Sequence, residues 1–118
     1  MKRSVESFSE LHQVLKNYRD NSLWLFRGHS NLNWSLVPKA GREPYDKYDD
    51  EETFYAWKRQ AMIFLKETYS DWDMLTIAQH HGLATRLLDW SFNPLVAAFF
   101  AVQTYEDCDA VIYAYLKK

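Results

Sequence analysis

Apolar residues fall in short blocks of two different periods, and the periods assign the elements. In SFSELHQVLKNYRD, Phe8, Leu11, Leu15 and Tyr18 recur every three to four residues behind Ser7 and Glu10 at capping-box spacing. A first amphipathic helix is expected. SLWLFRG is aromatic and aliphatic, too short for a helix and closed by Gly28, so it reads as a buried strand over 23–27 delivering Arg27 at its end. From about Glu51 to Tyr69, Phe54, Trp57, Ala61, Phe64, Leu65 and Thr68 return on one face, acids first and Lys66 near the end. One long helix is predicted there. Ser70 or Asp71 caps a third helix, Gly82 stops it, and His80 and His81 fall in its last turn. Asn93 and Pro94 take the cap and first positions of a fourth helix, PLVAAFFAVQTY, which is apolar nearly all round and therefore expected to be central. The chain closes on DAVIYAYLKK, a strand rich in Val, Ile and Tyr.

Two stretches lack a period. WSLVPKAGREPYDKYDD, with two prolines and a glycine, reads as a long loop. LATRLLDWS alternates polar and apolar residues and is expected to be a buried ribbon. The fold class is α+β: a small central sheet from strands near 23–27, 86–90 and 109–116, surrounded by about four helices.

Composition narrows the classes. A chain of 118 residues that is 47 % hydrophobic suits one domain, 1–118, able to bury a core of its own. Fourteen basic residues against sixteen acidic ones give a formal charge of −2, which removes the electrostatic case for nonspecific nucleic-acid binding. A lone cysteine, Cys108, excludes an intramolecular disulfide and a multi-cysteine zinc cage; it reads as packed, in a reducing, cytoplasmic setting. No run approaches the roughly 18 apolar residues of a membrane span, and no leader pattern opens the chain, so no membrane partner is expected.

Arg27, between Phe26 and Gly28, is costly to bury unless it meets an anion. It is either a phosphate or carboxylate clamp, or the partner of an internal acid such as Asp89. Gly28 permits close backbone approach by a ligand, or simply a turn. Adjacent His80 and His81 project about 100° apart on a helix and cannot share a metal as an i, i+4 pair does, so no metal is expected. A metal-dependent hydrolase needs His29, His80 or His81 with Asp89 on one centre. Thr85, Arg86, Asp89 and Ser91 crowd into seven residues, and Arg86 with Asp89 is read as a mutual ion pair or part of a site. Ser91, just before a helix, caps it or binds an anion. Thiol catalysis is rejected, because acidic neighbours raise the pKa of a thiol such as Cys108.

FRGHSNLNWSLVPKAGR together with AQHHGLATRLLDWSFNPLVAAFFAV resembles the FRG domain, a bacterial and phage module named for its Phe/Tyr-Arg-Gly motif. Phe26, Arg27 and Gly28 match the motif, followed in order by Trp34, Leu36, Pro38 and Arg42. His81, Gly82, Thr85, Arg86, Leu87, Leu88, Asp89, Trp90 and the 94–101 helix match the second block. Position 29, often Gln in the family, is His29 here. LFRG and LDWSFNPLVAAFFA also look like two elements of arginine-type ADP-ribosyltransferases, and an ADP-ribosyltransferase-like fold is one form of the expected architecture. That resemblance implies NAD as ligand, with Arg27 on its phosphate or ribose and Ser91 or the LDWS ribbon bracing the nicotinamide. A transferase also needs a catalytic glutamate, and none follows Glu106, so either that acid lies beyond Lys118, in a domain truncated at its C-terminus, or the domain only binds.

The ligand-contacting set is therefore Arg27, Gly28, His81, Thr85, Arg86, Asp89, Trp90 and Ser91, with no catalytic residue assigned. The alternative is a noncatalytic recognition module of a phage-defence or toxin-like protein, holding a basic protein or a nucleic acid through the Tyr- and Asp-rich loop at 41–50. Its acidic charge favours the protein.

Overall fold

Ser7 starts the first helix, α1 (Phe8–Leu15), by accepting a hydrogen bond from the Glu10 amide at 3.1 Å, while the Glu10 carboxylate returns to the Glu6 amide at 2.7 Å. A 3-10 turn, Lys16–Tyr18, continues it. The computed structural model describes residues 1–104 and 107–118. Tyr105, at the end of the predicted fourth helix, and Glu106 lie outside the described residues. Long-range contacts divide the chain into two compact units, one formed by Met1–Trp34 with Asp89–Lys118, the other by Ser35–Leu88.

The first unit is built on two antiparallel strands, β1 (Trp24–His29) and β2 (Val111–Leu116), in a register that sets Arg27 against Tyr113 and Gly28 against Ile112. The expected third strand over 86–90 is not formed. Its place is taken by a single bridge at Ser91, which exchanges two backbone hydrogen bonds with Phe26 at 2.7 and 2.8 Å. Alternation along β1 turns Trp24, Phe26 and Gly28 to one face. Tyr18 meets the Trp24 and Phe26 rings edge-on at 4.7 and 5.7 Å on that face, and the fourth helix covers Gly28.

That helix, α4 (Pro94–Gln103), begins as its sequence predicts, with the Asn93 side chain accepting from the Leu95 amide at 2.9 Å and Pro94 at its first position. Its expected central burial is corrected. Only Ala97 and Ala101 are buried, whereas Leu95, Val96, Phe99, Phe100 and Val102 are exposed. Gly28 supplies the reason: a Cβ there would fall 2.8 Å from the Ala97 carbonyl carbon and 2.9 Å from the Ala101 amide nitrogen. Backbone meets backbone at this seam, so the small residues of α4 face inward and its large ones do not.

The second unit packs α2 (Asp50–Ala61) and α3 (Asp71–His80) around Phe54, Met74 and Ala78, with Trp57, Ala61, Leu65, Leu75 and Leu83 against them. Asp49 caps α2 by accepting from the Glu51 and Glu52 amides. The single long helix expected to Tyr69 ends eight residues early. Ile63 and Phe64 donate to the carbonyls of Gln60 and Ala61, closing tighter turns, and Met62, Ile63 and Phe64 point outward before Leu65 returns to the core. Apolar spacing persisted without the helix that usually produces it. α3 starts at Ser70, whose hydroxyl accepts from the Asp73 amide, and stops at Gly82 (φ +96°). There Leu83 donates to Ala78 and Gly82 to Gln79, both at 3.0 Å, the paired bonds of a Schellman ending. His80 is the last helical residue and His81 the cap.

Candidate functional site

The face of the β1–β2 sheet turned away from α4 carries the chemistry. Residues paired across antiparallel strands share a face, so Leu25, Arg27 and His29 lie beside Tyr115, Tyr113 and Val111. Arg27 donates through Nε to His29 Nε2 at 2.9 Å and through Nη1 to the Asp89 carbonyl oxygen at 2.8 Å. To accept this bond, His29 Nε2 presents its lone pair to the guanidinium. His29 is 6 % exposed, with its ring 5.3 Å from Tyr113 and 6.3 Å from Trp34. Trp90 meets Tyr115 at 6.0 Å. Because Ser91 pairs along one edge of β1 and β2 along the other, the Trp90 and Tyr115 rings together bridge the width of β1. Among the described residues, Arg27 thus shares this face with the rings of Tyr113, Tyr115, Trp90 and Trp34.

The predicted residues divide between the two units. Arg27, Gly28, Asp89, Trp90 and Ser91 belong to the first; His81, Thr85 and Arg86 belong to the second. Asp89 meets Arg27 through its backbone oxygen, which corrects the carboxylate pairing considered from sequence. Gly28 seats α4. Ser91 Oγ accepts from the Asn93 amide at 3.0 Å, which places it in the turn that starts α4.

The Arg86–Asp89 ion pair is also corrected. Arg86 instead forms a two-pronged pair with Asp50, Nε to Oδ2 at 2.6 Å and Nη2 to Oδ1 at 2.9 Å. These hydrogen bonds hold the Asp50 carboxyl below its ordinary value and raise that of Arg86. Thirty-six positions separate the partners, and α2 begins at Asp50, so nothing local marks the pairing. Thr85 is 2 % exposed; its hydroxyl donates to Gln79 Oε1 and accepts from the Leu87 amide, while its carbonyl accepts from the Ala40 amide at 3.1 Å. Thr85 ties three segments of its unit together. His81 is exposed, its ring edge-on to His80 at 5.4 Å.

The loop at 41–50 has local partners of its own. Asp49 caps α2, Asp50 holds Arg86, and the Lys39 ammonium lies 4.9 Å over the Tyr45 ring. Cys108, expected to be packed, is exposed, with its thiol 3.7 Å from the Ser30 carbonyl oxygen. Among the described residues, no group of three or more His, Cys, Asp or Glu side chains could hold a metal, and no helix is long and apolar enough to cross a membrane.

Sequence reasoning missed Tyr113 and Tyr115 as neighbours of Arg27, and Trp34 as a neighbour of His29. The signal was present as period-two alternation in WLFRGH and VIYAYL, but a one-residue change of register reverses every face. No curated protein and no solved structure matches the chain. The family model of the FRG domain matches residues 22–110, which include β1 with Arg27, the Thr85–Ser91 ribbon and all of α4. The chain belongs to the FRG-domain family.

Proposed function

We propose that this domain binds a dinucleotide, NAD, on the face of the sheet that carries Arg27, as a nucleotide-binding domain of ADP-ribosyltransferase-like character. One observation carries the reading: a half-buried guanidinium shares a sheet face with Tyr113, Tyr115, Trp90 and Trp34. A guanidinium suits a diphosphate, to which it donates in parallel pairs, and aromatic faces suit the flat rings at the ends of the ligand. His29 and the Asp89 carbonyl hold the Arg27 head in place before any ligand arrives, which lowers the ordering cost of binding. The reading concerns binding. Transfer of the ribosyl group would require, in addition, a carboxylate beside the developing cation.

Calorimetric titration of NAD into the purified chain tests it, beside Arg27→Ala and Arg27→Lys variants whose folding is checked by circular dichroism. Saturable binding, weakened at least tenfold in both variants by loss of charge-assisted or paired hydrogen bonds, is expected. Folded wild-type chain that takes up no NAD overturns the reading.

The exposed side of α4 favours a second reading, a noncatalytic module that recognises a protein. Leu95, Val96, Phe99, Phe100 and Val102 present a contiguous apolar surface of the kind that marks interaction sites. This reading gives no NAD binding and leaves Arg27 with a purely architectural role.

A further inference from the structure

The geometry points to Tyr115 as the platform on which one base of the ligand stacks, with Arg27 holding the phosphate attached to that same nucleoside. The inference rests on the dinucleotide reading above and specifies how the ligand lies. Tyr115 is 55 % exposed although it sits in a paired strand, and its inner edge is already taken by Trp90 at 6.0 Å with the rings tilted by 56°. Rings at that distance touch each other directly, so no base fits between them. The open surface of Tyr115 is where a base lies, and Trp90 fixes the angle of the platform.

The register supplies the second half of the argument. Arg27 stands opposite Tyr113, and Tyr115 is two residues further along the same strand and on the same face. Such diagonal positions are about 7–8 Å apart at the backbone, and the Arg27 head, bonded to His29, lies toward the end of the strand away from Tyr115. That span fits a single nucleoside 5′-phosphate, base at one end and phosphate at the other. It is too short for both bases of a dinucleotide. Tyr113 lies between the two positions, with its ring against buried His29, and is not itself a platform. The site therefore recognises one mononucleotide half of the ligand, and the remaining half contributes less.

The test is a calorimetric series with NAD, AMP, nicotinamide mononucleotide and inorganic pyrophosphate, on wild type, Tyr115→Phe and Tyr115→Ala. Removing an aromatic platform weakens binding of its base by roughly five- to a hundredfold. The expected results are that one of the two mononucleotides binds saturably and more tightly than pyrophosphate, that Tyr115→Ala weakens that mononucleotide and NAD by tenfold or more, and that Tyr115→Phe keeps wild-type affinity. NAD binding that is lost in Arg27→Ala but unchanged in Tyr115→Ala overturns the platform and leaves the dinucleotide reading standing. So does pyrophosphate binding as tightly as the better-binding mononucleotide. Absence of NAD binding in the wild type overturns both.

Discussion

Arg27 and His29 are joined side chain to side chain, Nε to Nε2 at 2.9 Å, two residues apart on one face of β1. The bond couples a charged head to a buried ring and sets the direction in which the guanidinium points. His29 acts on any ligand through Arg27, as a positioning residue.

A substitution at 29 that keeps an acceptor should therefore differ from one that removes it. His29→Leu should destabilise the chain by about 1.5–3 kcal/mol, the usual value for losing a hydrogen bond to a charged group. His29→Gln should lose less, because a side-chain amide oxygen still accepts from Arg27. Urea denaturation of the two variants reads the difference, and equal losses would show that the acceptor is unimportant.

Glycines 28 and 82 are needed for different reasons and should fail by different amounts. A Cβ at Gly28 enters the backbone of α4 at Ala97 and Ala101, so Gly28→Ala should cost about 3 kcal/mol or more. Gly82 has open space around its Cα but a φ of +96°, so Gly82→Ala should cost about 1–2 kcal/mol. Thermal unfolding of the two variants ranks them. A reversed order would mean that α4 shifts easily on β1.

The Asp50–Arg86 pair gives a pH dependence with a definite sign. Hydrogen bonding from Arg86 lowers the Asp50 carboxyl in the folded chain, so the folded state releases this proton more readily than the unfolded one. The stabilisation is present above the ordinary carboxylate value of about 4 and is lost as pH falls through the lower folded value. Wild type should exceed Asp50→Asn in stability at neutral pH, with the gap closing below about pH 4. Denaturant melts at several pH values measure it, and a gap independent of pH would remove the pair from the account.

Local signals were legible in the sequence wherever a cap or a stop decided the outcome. Ser7, Ser70, Gly82, Asn93 and Pro94 all stand at the element ends that their chemistry predicts. Failures arose where distance in the chain mattered. Leu65 reaches the core from beyond the end of α2, Arg86 passes over nearby Asp89 for Asp50, and the 86–90 ribbon is reduced to a single bridge at Ser91. Arg27 was visible as a costly cation. Its aromatic neighbours were not, because they depend on a strand register that residues 24–29 and 111–116 settle only when paired.

The most direct test of the central claim is nuclear magnetic resonance mapping of NAD on the isotope-labelled chain. The account predicts saturable shifts at the Arg27 Nε–H, at the Trp90 indole and at the amides of Tyr113 and Tyr115. Shifts confined to α4 or to residues 35–88, or no shifts at all in a folded chain, would contradict it.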